Sequence, residues 1–165
     1  MMAEFGNHNT GTSDDYQYAN QYTATPANVP SNGVLQSLSL YARTAGQKFK
    51  LALYDATGEG GKPGALLAQT EEGSAATNNT WVTLNTTTNP TLTAGQSVWI
   101  AFVASNLNPV NFRAATGSYI CYTLATTGYP TVQNPFPGSF TYAEVVSMYG
   151  TVLSSSRRRR ILCAA

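Results

Sequence analysis

Charge is scarce in this sequence. Only 10% of its 165 residues are Asp, Glu, Lys or Arg, against about a quarter in a typical soluble domain. Thr, Ser, Asn and Gln carry the polarity instead, and β-branched Thr suits the pleated, half-wet surface of a sheet better than a helix. Histidine is scarcer still, with His8 alone. A Ser-His-Asp or Cys-His triad would have to be built around that one residue, and a side chain in water or in a local hydrogen bond is the plainer expectation. Two cysteines, Cys121 and Cys163, are too few for a disulfide framework or a Cys/His zinc cluster. Cys121 falls in a strand-like run and reads as a small buried hydrophobe, while Cys163 lies near the C-terminus. No apolar run reaches the length of a membrane-spanning helix. The opening Met1-Met2-Ala3-Glu4-Phe5 lacks the basic and apolar regions of a signal peptide, so export by the ordinary secretory route is not expected.

The acidic residues are also thin as chemistry. Glycoside hydrolysis needs two carboxylates facing each other, and the eight acids favour no such pair: Asp55 and Glu59 share a turn, and Glu71 and Glu72 are adjacent. Gly58-Glu59-Gly60-Gly61-Lys62 is glycine-rich, but Pro63-Gly64 follows it where a phosphate loop would open a helix, so it reads as a hairpin turn. These absences point to a protein that is not an enzyme and needs no cofactor. A structural calcium is the one exception to consider, with Asp14 and Asp15 as weak oxygen ligands; an acidic turn in water is the simpler reading. The net charge of +1 hides an asymmetry, because four of the nine basic residues are Arg157, Arg158, Arg159 and Arg160. Without them five basic and eight acidic groups remain, a net charge of −3, so the body of the chain is no nucleic-acid binder.

What is present is strand signal. Gly and Pro punctuate the chain, and no window shows a capped 3.6-residue period. In Gln47–Tyr54, Phe49, Leu51 and Leu53 alternate with Lys48, Lys50 and Ala52, as in a strand with one wet face. Ser37–Leu40 alternates likewise. Ser97–Ala104 is apolar on both faces and reads as a central strand. Further strands are expected near Tyr18–Thr23, Leu66–Thr70, Thr80–Leu84, Asn111–Ala114, Ser118–Leu124 and Glu144–Val152. Turns fit Ser31-Asn32-Gly33, Thr57–Gly64 and Thr93-Ala94-Gly95. The expected fold is all-β, an antiparallel β-sandwich or jelly roll of roughly nine strands. A single domain would span residues 1–153, with a Ser/Arg-rich tail at 154–165.

Several segments resemble a β-sandwich module that recurs in prokaryotic surface proteins, secreted multidomain enzymes and phage structural proteins. They are Phe5-Gly6-Asn7, LALYDATGEGGKPGALLAQT (Leu51–Thr70), TWVTL (Thr80–Leu84), LTAGQSVWIAF (Leu92–Phe102) and GYPTVQNPFPGSF (Gly128–Phe140). The resemblance covers roughly residues 5–153 and rests on turns and core strands, so it implies fold more than function. It implies a carbohydrate-binding-module-like shape and carries no shared catalytic residues.

Two functional expectations follow. The first is a structural protein of a symmetric assembly, a homo-oligomer such as a phage or virion decoration or tail-fibre component, at a virion or extracellular surface. Its anchor would be Arg157–Arg160 with Ile161 and Leu162, arginine forks meeting carboxylates and the apolar pair meeting a groove on a protein partner. The second is a carbohydrate-binding module or lectin, because sugars stack their apolar faces on exposed aromatic rings. Of ten Tyr, six Phe and two Trp, the candidates are Trp81, Tyr119, Tyr122, Tyr129, Phe136 and Tyr142, for a polysaccharide ligand. Trp99 reads as core. Tyr119 and Tyr122 fall on opposite faces of one strand. The proline-rich loop at 125–139 is expected to fold over a sandwich edge and plug it with its aromatics; a ligand surface there is the alternative. Neither nucleic acid nor membrane is an expected partner of the domain body.

Overall fold

The computed structural model describes residues 1–10, 13–15, 21–105, 112–124, 128–138 and 140–154, with the side chains of 13–15, 112–124, 140 and 142–144 excepted. Its strands are β1 (Met2–Gly6), β2 (Ser13–Asp15), β3 (Gln21–Asn28), β4 (Gly33–Ala42), β5 (Lys48–Asp55), β6 (Leu66–Gln69), β7 (Gly73–Ser74), β8 (Thr80–Asn85), β9 (Thr91–Leu92), β10 (Ser97–Ala104), β11 (Phe112–Leu124), β12 (Phe140–Val146) and β13 (Met148–Ser154). A single 3-10 turn, Glu59–Gly61, is the only helical element among the described residues.

All described pairings are antiparallel, and they form the two layers of a β-sandwich. One layer runs β1–β13–β4, with β8 and β9 along the far side of β4. The other runs β12–β11–β3–β10–β5–β6, with β2 on β11 and β7 on β5. The layers meet at two residue pairs among the described residues, Phe112 with Ala42 and Thr70 with Thr86. Pro26 stands in β3 beyond Gln21–Ala24, the stretch that β11 covers, so its missing N–H leaves no ladder partner unsatisfied on that side.

The main core lies between the layers. Phe5, Leu38, Leu40, Met148 and Val152 face Phe49, Leu51, Leu53, Ile100 and Phe102 across it, all of them buried. In β4, Leu35 and Leu38 both point inward although strict alternation would oppose them. A bulge at Gln36 resets the parity: Thr151 pairs with Ser37, while the next residue, Val152, pairs with Leu35,. Phe5 lies directly over Gly150, where any Cβ would meet the phenyl ring at 2.5 Å.

A second core explains why Ser97–Ala104 is apolar on both faces. Val98, Ile100, Phe102 and Ala104 enter the main core, while Trp99, Ala101 and Val103 point the other way. On that outer face Ala24, Ala101 and Ala52 form a row of small residues across β3, β10 and β5. The row leaves depth for the ring of Phe136, which is 6% exposed and belongs to this second core. The ring packs edge-on against Tyr54 at 5.1 Å and Tyr22 at 6.0 Å.

Residues 128–138 form the cover. The Tyr54 hydroxyl donates to the Gln133 carbonyl at 2.7 Å, and the Tyr22 hydroxyl to that of Thr131. Phe136 N–H donates to Gly64 O at 2.9 Å and Leu66 N–H to Asn134 Oδ1 at 3.0 Å. The β5–β6 turn beneath is organised by Asp55, whose Oδ1 accepts from Thr57 N–H, the Thr57 hydroxyl and Ala65 N–H. The Trp99 indole N–H closes that end by donating to Gly61 O at 3.0 Å.

The strand map differs from the sequence expectation in four places. The strand expected near Tyr18–Thr23 is β3, which runs on to Asn28. The stretches at 111–114 and 118–124 lie within one strand, β11, whose register shifts between Thr116 and Tyr119. The run at 144–152 is two strands, because the chain changes layer at Ser147. This buried corner donates its hydroxyl to Asn9 O and accepts from Tyr41 N–H at its carbonyl. The strands β1, β2, β7 and β9 are too short to show a period of their own.

Candidate functional site

Among the described residues, no segment straps the outer face of the β1–β13–β4–β8 layer as residues 128–138 strap the other layer. Strand parity decides which side chains stand there. With Leu38, Leu40, Val82 and Leu84 turned inward, the residues between them turn outward: Ser37, Ser39 and Tyr41 on β4, and Trp81, Thr83 and Asn85 on β8. On β13 the outward pair is Tyr149 and Thr151. Pairing then sets them side by side, Tyr41 opposite Trp81, Ser39 between Thr83 and Tyr149, and Ser37 between Asn85 and Thr151.

Three aromatic rings meet on this face. Trp81 contacts Tyr149 at 4.9 Å with planes 62° apart, and Tyr41 at 5.4 Å with planes 69° apart. Each ring is half-buried. Ser39 lies beneath the group at 0% exposure and bonds the Thr83 hydroxyl at 2.8 Å. A fourth ring, His8, stacks on Tyr149 at 4.3 Å and 22°. Gly6 makes that possible: its φ of +114° turns the chain where a Cβ would meet Met148 O at 2.5 Å,. Asn7 then ties the turn down, its N–H donating to Met148 O at 2.7 Å and its amide to Val146 O at 3.3 Å. Glu4 approaches His8 at 3.7 Å, an exposed pair worth little in water.

The face therefore offers aromatic surface flanked by hydroxyls and one carboxamide. Such an arrangement can hold an uncharged ligand with apolar C–H faces and a polar rim. A cleft of about 280 Å³ at the end of the other layer is a weaker candidate. Its Ser97 and Asn28 side chains bond each other at 3.1 Å, and its Trp99 indole N–H is engaged by Gly61.

Of the residues singled out from sequence, Trp81 is at the centre of the aromatic group. Phe136 is not a stacking platform in this structure; it fills the alanine row of the second core, as the plug reading of the loop expects. Tyr129 packs against the same core from the opposite side of the sandwich to Trp81, and its buried hydroxyl has no partner among the described residues. Tyr119, Tyr122 and Tyr142 fall on β11 and β12, where only the backbone is described. Asp14 and Asp15 fall on β2, paired with Arg113 and Phe112, again as backbone alone. Among the described residues no three His, Cys, Asp or Glu side chains group as metal ligands. Arg157–Arg160, Ile161 and Leu162 lie outside the described residues. Tyr41 and Tyr149 were not singled out from sequence, although Tyr41 shares its parity with Ser37 and Ser39, a polar-facing signal, and His8, expected in water or in a local hydrogen bond, stacks on Tyr149.

No protein-family model matches the chain, and no curated protein matches it.

Proposed function

We propose that this chain is a non-catalytic binding module that holds carbohydrate on the outer face of the β1–β13–β4–β8 layer. One observation carries the reading: Tyr41, Trp81 and Tyr149 gather on that face, while the equivalent face of the other layer is filled by Phe136 and its loop. Keeping large rings half in water costs hydrophobic stabilisation that a covering segment would supply, and a ligand with C–H faces recovers it. Affinity electrophoresis against a panel of soluble polysaccharides, with and without calcium, tests the reading. Retardation by at least one polysaccharide, lost in Trp81→Ala, is the expected result. Unretarded wild-type protein across the panel would refute it.

A second reading, assembly into a symmetric homo-oligomer of the phage or virion decoration kind, draws on a different observation. Met1, Met2 and Leu153 are 92%, 66% and 45% exposed, the large exposed hydrophobics among the described residues. Met2 pairs with Leu153, so the patch spans the edge strand β1 and the end of β13, just before the arginine segment in sequence. Edge strands with apolar side chains are sites of pairing between chains. Sedimentation velocity of the full chain and of a chain ending at Ser154 distinguishes the outcomes. A drop in mass on truncation supports an anchor at Arg157–Leu162, and identical monomers count against it.

A further inference from the structure

We propose that Trp81, Thr83 and Asn85 form a site for one neutral sugar unit of a soluble chain, and that neither a crystalline polysaccharide surface nor an acidic glycan is its ligand. The proposal rests on the carbohydrate reading above and narrows it to a class and a row of residues.

Ring tilt limits how many sugars can stack. A flat polysaccharide surface needs several rings in one plane, since each sugar lies parallel to the ring beneath it. Trp81 is tilted 62° from Tyr149 and 69° from Tyr41, so it shares a plane with neither. Tyr149 has already given one face to His8 at 4.3 Å. Stacking on the indole therefore engages one sugar at a time.

The polar groups line up with that single ring. Trp81, Thr83 and Asn85 stand on the same face of β8 at alternate positions, about 7 Å apart. Thr83 and Asn85 are both exposed. A sugar lying on the indole directs its hydroxyl rim along this row, where the Asn85 carboxamide offers both donors and an acceptor. β8 pairs with β4 along one side, which sets the row near the rim of its layer, where a chain can continue past the bound unit.

Charge disfavours the acidic glycans. Among the outward positions of β1, β13, β4 and β8 only Glu4 is ionic, and it stands on the far strand beside His8. Arg43 follows β4 at the Trp81 end, its carbonyl accepting from Asn79 N–H at 3.1 Å, whereas Thr83 and Asn85 lie farther along β8. The row of Trp81, Thr83 and Asn85 holds no cation of its own, so a uronate or sulfate seated on Thr83 and Asn85 would lose water without one beside it.

The test is an NMR titration of uniformly 15N-labelled protein, reading the indole N–H of Trp81 with the core Trp99 as internal reference. Neutral soluble probes are starch, mixed-linkage β-glucan and galactomannan; acidic probes are pectin and alginate. Depletion by microcrystalline cellulose and chitin is measured in parallel. The expected result is a saturable shift at Trp81, with Trp99 unmoved, for at least one neutral soluble glycan and for none of the acidic ones, with no depletion by the solids. Trp81→Ala should weaken binding more than about tenfold, and Asn85→Ala, an exposed change that spares the fold, about threefold or more. Binding confined to the solids or to acidic glycans, or neutral binding that leaves Trp81 unmoved or Asn85→Ala at full affinity, overturns this inference and leaves the wider carbohydrate reading standing. No binding to any probe removes both.

Discussion

The two outer faces of this sandwich start from the same strand chemistry and end differently. Across β3, β10 and β5 the outward row is Ala24, Ala101 and Ala52, small enough to admit a ring from elsewhere in the chain, and Phe136 occupies it. Across β13, β4 and β8 the outward rows carry their own rings, Tyr149, Tyr41 and Trp81, which pack on one another. Small residues invite a cover from the chain, whereas large ones fill the space themselves and keep an edge or face toward water. The covered face contributes to stability, and the other leaves its rings half in water among the described residues.

Breaking the cover should give the largest effect. Phe136→Ala empties the alanine row and is expected to lower unfolding free energy by about 3–5 kcal/mol, read from urea denaturation. Tyr54→Phe removes the hydroxyl that holds Gln133 and is expected to cost about 1 kcal/mol, with faster amide exchange confined to residues 128–138. Asn85→Ala, on the open face, should change stability by less than about 0.5 kcal/mol, so that any loss of binding reports on the ligand and not on the fold.

Alkaline pH sharpens the same contrast. Burial, with Tyr22 nearby as a second cause, raises the Tyr54 phenol above its ordinary 10.0, and burial raises Tyr22 too, with the Gln133 backbone pulling the other way. The folded protein therefore holds these protons after the unfolded chain has released them. Their stabilisation is complete below the unfolded value and is lost as pH rises past it toward the folded values. Urea midpoints measured from about pH 8 to about pH 11 should fall at the alkaline end, and Tyr54→Phe should flatten that fall.

Much of the fold was legible because its strands carry their own pattern. Ser97–Ala104 announced a strand buried on both sides, and Gln47–Tyr54 one with a wet face. The sequence could not say what covers the second face of β10, since Phe136 reaches it from a proline-rich segment with no period. The layer change at Ser147 was hidden for a related reason: alternation continues on both sides of the corner, and only the three-dimensional path shows that Val146 and Met148 enter the core from different layers. The open face was legible residue by residue but not as a site. Parity turns Tyr41, Trp81 and Tyr149 outward one at a time, yet their meeting depends on β13, β4 and β8 lying side by side. That contact is set by distant pairing and by the bulge at Gln36, neither of which leaves a local trace. Phe136 stood in the sequence both as a ligand candidate and, in the plug reading of its loop, as a core residue; its 6% exposure fits the plug, while Tyr129 stays half-buried.

The central claim, that Trp81 faces a ligand while Phe136 seals the opposite face, is tested most directly by running Trp81→Ala and Phe136→Leu beside the wild type in one polysaccharide affinity gel. Retarded wild type, retarded Phe136→Leu despite its lower unfolding midpoint, and unretarded Trp81→Ala is the predicted pattern. Retardation that survives Trp81→Ala and disappears in a folded Phe136→Leu would contradict the account and move the binding surface to the proline-rich loop.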